Sequence, residues 1–225
     1  MTPGAERARR AVVIAGATGL VGRECLGLLL EDPSFERVTA LVRRPLDDAP
    51  KSPKLTTCLV DFDRLEAAAP LLAADQVICA LGTTIAEAGS RERFRRVDLE
   101  YPLALARLAS ERGVSHFLLV SSLGADARSR VFYGRVKGEL EDALAALPFR
   151  SLSIVRPSLL LGERKERRLG EELAKPFGFL FPRRYRPIRA GDVAAALVRL
   201  AAEDAPGRRV VESAEMREWA KARGW

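Results

Sequence analysis

One short stretch, GATGLVG at residues 16–22, limits what this chain can fold into more than any other. It lies between the strand-like run AVVIA and the helix-like run RECLGLLLE. Gly16 then ends a strand and Gly22 opens a helix, so backbone N–H groups converge on the helix N-terminus, where the helix dipole favours an anion. A side chain at Gly16 or Gly19 would block close approach of the backbone to phosphates, and one at Gly22 would push the helix off the strand. The spacing therefore predicts a strand–turn–helix unit that seats the pyrophosphate of a dinucleotide.

The rest of the chain keeps the same rhythm. Strand patterns fall at 11–17, 37–43, 55–61, 76–82, 115–121, 151–158 and 208–213. Between them, GRECLGLLLED, RLEAAAPLLA, RFRRVDLEYPLALARLASER, FYGRVKGELEDALAAL and GDVAAALVRLAAE carry apolar residues at helical spacing. Alternating strand and helix predict a parallel sheet, and the unbroken apolar runs VVIA and FLLV predict strands covered on both faces. The expected fold class is α/β: a doubly wound, Rossmann-type parallel sheet in a single domain over 1–225. Residues 162–187 replace this beat with charge and aromatics. They suggest a small C-terminal substrate segment over about 158–190, read as a mobile flap with an apolar inner face, the alternatives being a packed core segment and a dimer contact.

Composition closes off several function classes. With 225 residues, 48% of them hydrophobic, the chain can bury one sizeable core. The formal net charge is +7, but the basic residues are scattered from Arg7 to Arg223, so no nucleic-acid surface is expected. No apolar stretch approaches the ~18 residues that span a bilayer, and the N-terminal MTPGAERARR has no apolar signal core behind it. The expectation is a cytoplasmic protein with no membrane contact, a monomer or homodimer. Cys25, Cys58 and Cys79 lack the paired spacing of a zinc site and read as buried, reduced thiols. The one histidine, His116, begins a strand-like run and reads as structural. No metal is expected, and a Ser-His-Asp mechanism has little to build on.

The cofactor's identity is read at the end of the second strand. There ALVRRPL places Arg43 and Arg44 where an acidic residue would receive the ribose 2′-hydroxyl of NAD. Two guanidiniums would instead clamp a 2′-phosphate, so NADP (NADPH) is expected. Asp61 and Phe62 follow the third strand, where topology lets them flank the adenine. Leu81, Gly82 and Thr83 close the fourth and should border the cofactor's middle.

The chemistry is read at YGRVK. Tyr133 and Lys137 lie four residues apart at the start of a helix, hence on one face. An ammonium beside a phenol favours the phenolate, which suits a general acid/base. Upstream, VSSLGAD puts Ser121 and Ser122 at the end of the fifth strand, where a hydroxyl could hold a substrate carbonyl or hydroxyl next to that tyrosine.

Taken in order, GATGLVG, SSLGAD, YGRVKGELE and IVRPSLLLG resemble the short-chain dehydrogenase/reductase superfamily. More closely, they are similar to its atypical NADP-binding branch, related to the Tat-interacting protein and to small bacterial proteins labelled nucleoside-diphosphate-sugar epimerases. The resemblance runs from Ala11 to about Ser213. It implies NADP on Gly16, Thr18, Gly19, Leu20, Val21 and Gly22, with Pro157 and Ser158 closing the cofactor set at the sixth strand. It also implies a catalytic constellation of Ser121 (or Ser122), Tyr133 and Lys137. In that logic Lys137 bonds the nicotinamide ribose and Tyr133 passes the proton as hydride moves.

Two departures shape the expected activity. The larger C-terminal lobe with which sugar-nucleotide epimerases grip substrate is missing, and CALGTT stands at the fourth strand where many reductases carry an Asn-rich element. The expectation is an NADP-dependent oxidoreductase acting on a small carbonyl or hydroxyl compound. The alternatives are an NADPH-binding regulator or redox sensor without turnover, and a nucleotide-sugar epimerase or dehydratase.

Overall fold

The computed structural model describes residues 9–46, 50–161 and 185–222. Seven strands form one parallel sheet: β1 (Arg10–Ala15), β2 (Phe35–Val42), β3 (Leu55–Leu59), β4 (Gln76–Cys79), β5 (His116–Val120), β6 (Ser151–Arg156) and, last in the chain, β9 (Gly207–Glu212). Their spatial order is β3-β2-β1-β4-β5-β6-β9. Two short strands, β7 (Leu160–Leu161) and β8 (Ile188–Arg189), pair in parallel apart from it. The sheet of a doubly wound α/β domain is thus present as the alternation implied.

Helices cover both faces. On one side α1 (Leu20–Glu31), α6 (Ala190–Glu203) and α7 (Ser213–Ala222) pack with Val12, Ile14 and Leu118. On the other, a 3₁₀ stretch (Phe62–Leu72), α4 (Tyr101–Glu111) and α5 (Phe132–Ala145) pack with Val13, Ala15, Phe117 and Leu119. Successive side chains of a strand point to opposite faces, so a strand with no solvent face must be apolar at every position. That is why VVIA and FLLV are continuous. The edge strands escape this demand: Leu59 on β3 is 64% exposed, and Cys58 beside it is only half-buried. Cys25 and Cys79, in the interior, are fully buried as expected.

Three elements depart from the sequence pattern. Phe62–Leu72 is 3₁₀ rather than α, because Pro70 brings no N–H and Arg64 sits at φ −135°, ψ 49° outside the helical region. After the single turn α2 (Ile85–Ala88), the long helix expected after β4 is broken into α3 (Arg91–Arg95), a π turn (Arg96–Glu100) and α4. Pro102 has no N–H for the Asp98 carbonyl, and the π turn lies just before it. The helix α7 lies beyond the last pattern read from the sequence.

The sheet's winding reverses between β1 and β4, since β2 and β3 lie to one side of β1 and β5 and β6 to the other side of β4. A crevice opens at the carboxyl ends of strands at such a point. Glycine sets how tightly it closes: Gly16 has φ +90°, and a Cβ there would lie 2.5 Å from the Ala80 carbonyl oxygen. A Cβ at Gly22 would lie 2.1 Å from the Gly16 oxygen, so only glycine lets α1 sit this close to its strand.

Most of the segment marked out by the sequence for substrate, 162–184, lies outside the described residues. Its flanks are joined: β7 pairs with β8, and Ser158 Oγ donates to the Arg186 carbonyl at 2.6 Å.

Candidate active site

A cleft of about 620 Å³ opens at the switch point. It is lined by Gly19, Leu20 and Val21 after β1, by Leu81, Gly82 and Thr83 after β4, by Ser121 and Ser122 after β5, by Tyr133 and Lys137 of α5, and by Pro157 and Ser158 after β6. Five segments remote in the chain thus meet in one place. Leu123, Leu159, Leu160 and Pro187 give it apolar walls, and Tyr185, 54% exposed, stands at its edge.

Helix α5 reaches the cleft through two glycines. A Cβ at Gly138 would lie 2.1 Å from the Ala127 nitrogen, and one at Gly134 would lie 2.8 Å from the Gly124 oxygen. Their absence lets the helix press on the loop that follows Ser122, bringing Tyr133 and Lys137 beside the two serines. The ring of Tyr133 packs on Phe94, with centroids 5.4 Å apart.

Lys137 is almost fully buried, and its Nζ lies 2.7 Å from Asp98 Oδ1. The other carboxylate oxygen of Asp98 accepts from the Thr83 N–H at 2.9 Å. Burial alone would lower the Lys137 pKa, but the charge of Asp98, with a smaller contribution from Tyr133, outweighs it and leaves the lysine above its ordinary range. Burial moves Asp98 upward, against the opposing pull of Lys137 and the Thr83 amide. The contact geometry and the hold on Lys137 describe an ammonium fixed in place by a carboxylate. Cys79 lies below this pair, and burial pushes its thiol up to about 11, so it is no nucleophile at neutral pH.

Asp98 was not singled out from the sequence. Its signal is an acid in the apolar register of its helix, four residues after Phe94 and four before Pro102, all three buried. Glu141 was missed for a related reason. It stands four residues after Lys137, a spacing that suggests a solvated i,i+4 ion pair. Instead Glu141 is buried, accepts from Ser121 Oγ at 2.5 Å and pairs with Arg156 at 2.6 Å.

Other expected site residues lie off the cleft wall. Gly16 and Gly22 serve the packing of β1, α1 and β4, and Thr18 is exposed in the same turn. Arg43 and Arg44 are exposed at the end of β2. Asp61 caps the 3₁₀ stretch by accepting from the Asp63 N–H, while Phe62 is buried against Tyr101 with ring centroids 5.7 Å apart. Asp63, in the same stretch, receives the Tyr101 hydroxyl at 2.6 Å and the Arg96 guanidinium at 2.8 Å.

His116 has partners the sequence did not suggest: Nδ1 lies 2.9 Å from Asp204 Oδ1, and Nε2 lies 2.9 Å from Ser153 Oγ. The order Ser–His–Asp is that of a hydrolase triad, but His116 is fully buried at the start of β5, the end of the strand away from the cleft. It ties β5, β6 and the end of α6 together. Among the described residues no cluster of three or more His, Cys, Asp or Glu could hold a metal ion. No described helix is long and apolar enough to cross a membrane.

Comparison with known proteins places these features. Residues 16–204 match a family profile described as NAD(P)H-binding. The chain is 41% identical over 170 residues to protein HTATIP2 of Rattus norvegicus, covering 75% of this chain and 70% of that one. It is 40% identical over 170 residues to protein FMP52, mitochondrial, of Candida albicans, covering 73% and 74%. In fold it is similar to the Bordetella bronchiseptica enzyme WbmG in complex with NAD, with a TM-score of 0.70 at 14% identity over 97% of this chain and 77% of that one.

The FMP52 relatives overturn one expectation. Several are named mitochondrial, which conflicts with the cytoplasmic location read from the sequence. That reading rested on the lack of an apolar signal core and of a bilayer-length stretch, and neither bears on mitochondrial import, whose leaders are amphipathic and arginine-rich. A Rossmann sheet with its crevice at the glycine turn, a profile match over most of its length and two-fifths identity to HTATIP2 and FMP52 lead to one assignment: the chain belongs to the NAD(P)H-binding family and is a homologue of HTATIP2 and FMP52.

Proposed function

We propose that the chain is an NADP-dependent oxidoreductase of the atypical short-chain type, acting on a small carbonyl or hydroxyl compound with Tyr133 as general acid/base. One observation carries this reading: Ser121, Ser122, Tyr133 and Lys137 line the same cleft as residues 19–21 of the glycine turn.

The turn fits a dinucleotide. Gly19 is the N-cap of α1 with no side-chain cap, and the first turn of that helix holds no acidic residue. Its N–H groups therefore suit the oxygens of a pyrophosphate. A Cβ on Gly19 would meet only the Gly16 oxygen at 3.4 Å, so the position has room on its cleft side. Arg43 and Arg44, exposed at the end of β2, supply the positive charge that a 2′-phosphate would need.

When bound, the nicotinamide supplies or accepts a hydride. Tyr133 gives a proton to the carbonyl oxygen in reduction and takes it back in oxidation. Lys137, locked by Asp98, holds the nicotinamide ribose and keeps a positive charge beside the phenol. The apolar walls receive an apolar body, which favours small carbonyl compounds over sugar nucleotides.

A screen of small aldehydes and ketones monitoring NADPH oxidation tests the reading. Turnover is expected, and Tyr133→Phe should lower it about 10²–10⁴-fold while leaving NADPH affinity nearly unchanged. NADPH binding without turnover of any carbonyl would overturn the enzyme reading in favour of a regulator. Full activity in Tyr133→Phe would overturn the acid/base assignment.

A further inference from the structure

Ser121 and Ser122 stand side by side in the cleft, yet their hydroxyls are committed differently. Ser121 Oγ donates to Glu141 Oε1 at 2.5 Å. Ser122 Oγ makes only a 3.4 Å contact with the Leu123 carbonyl. Glu141 is buried on α5, one turn beyond Lys137. Arg156 Nη2 donates to its Oε2 at 2.6 Å, and Arg156 Nε donates to Oε1 and Oε2 at 3.0 and 3.2 Å. Arg208 adds a guanidinium 3.7 Å from Oε2.

A carboxylate held by guanidiniums only accepts hydrogen bonds. The hydrogen between Ser121 and Glu141 therefore belongs to Ser121, and a hydroxyl has only one. What Ser121 offers the cleft is lone pairs.

We propose that Glu141 is a positioning residue that makes Ser121 a fixed hydrogen-bond acceptor, so that the cleft selects a ligand carrying a hydroxyl donor, while Ser122 is the serine that donates to a carbonyl oxygen. This rests on the cleft being the substrate site, but not on turnover. It divides between two residues a role that a single serine would otherwise fill.

The substitution Glu141→Gln reverses the arrangement at nearly constant shape. Arg156 Nη2 and Nε must keep an oxygen to donate to, so the amide oxygen takes the Oε2 position they share and the amide N–H₂ takes the Oε1 position facing Ser121, where the Nε bond is given up. Ser121 then accepts from Gln, and its own hydrogen turns into the cleft.

Cyclohexanol and cyclohexanone are matched probes, since both accept a hydrogen bond and only the alcohol donates one. Their binding to the cofactor-free full chain can be followed by methyl NMR on Leu81 and Leu123, which line the cleft. The wild type is expected to bind cyclohexanol about threefold to tenfold more tightly, the worth of one net hydrogen bond. Glu141→Gln should bind cyclohexanone at least as well as the alcohol, and Ser121→Ala should bind both alike. Equal binding by the wild type, no binding of either probe in the cleft, or an alcohol preference surviving in Glu141→Gln would overturn the proposal. If Glu141→Gln does not fold, Ser121→Ala decides alone, and an alcohol preference retained there overturns it. A chain that shows the preference yet oxidises no NADPH keeps this assignment and loses the oxidoreductase reading. Turnover with no preference does the reverse.

Discussion

The Lys137 ammonium and the Asp98 carboxylate meet at 2.7 Å with both side chains under 5% exposed. Removing one partner of such a pair leaves the other charge buried and unpaired, which costs about 3–5 kcal/mol. Asp98→Ala is therefore expected to lower the unfolding free energy by that amount in urea denaturation. The double variant Asp98→Leu with Lys137→Met should recover most of the loss, because two apolar side chains replace two desolvated charges. A double variant no more stable than Asp98→Ala would mean that the pair does not dominate this region.

Cofactor choice should rest on the end of β2. If Arg43 and Arg44 receive a 2′-phosphate, NADPH binds more tightly than NADH by about 1.5–3 kcal/mol for each charge-assisted contact. Titrating both cofactors against the wild type and the double Arg43→Ala, Arg44→Ala variant measures this. Equal affinities in the wild type would remove the 2′-phosphate role.

Two glycine substitutions should act in opposite directions. Gly138→Ala puts a methyl group 2.1 Å from the Ala127 nitrogen, which must force α5 off its loop at a cost of about 1–3 kcal/mol and shift Tyr133 from the serines. Gly27→Ala on α1 meets nothing within 4 Å and removes a flexible residue from a helix interior, so it should stabilise by about 0.5–1 kcal/mol. Thermal melts of the two variants check both signs.

His116 should make stability fall on the acid side of neutrality. Burial lowers its pKa from 6.5 to about 4; Arg150 and Arg10 add to this and Asp204 opposes it. Between those values the unfolded chain binds the proton and the folded chain does not. Unfolding is therefore favoured increasingly as pH drops from about 6.5 to about 4, by up to about 1.4 kcal/mol per pH unit. It is the one histidine in the chain, so the difference between wild type and His116→Asn isolates it. Denaturation midpoints from pH 7 to pH 4 should show that difference shrinking as pH falls. A constant difference would mean the ring is not held neutral.

The sequence by itself determined the alternation of strand and helix, the two-sided burial of VVIA and FLLV, the glycine turn at the end of β1 and the identity of the cleft's serines, tyrosine and lysine. These are local matters: periodicity and spacing are set by neighbours along the chain, and a residue's place at a strand end or helix start follows from them. Tertiary structure decided the partners. Lys137 and Glu141 stand one turn apart on α5, but the fold gives Lys137 to Asp98 and Glu141 to Ser121 and Arg156. Phe62 went into the core rather than onto the cleft wall, and Gly134 and Gly138 proved to be the contact that sets α5 against its loop. The same holds for His116, whose bonds to Ser153 and Asp204 join elements far apart in sequence. Such choices turn on which buried group lies within hydrogen-bonding distance after packing, since a buried charge must find a counter-charge or donor wherever the packed elements supply one.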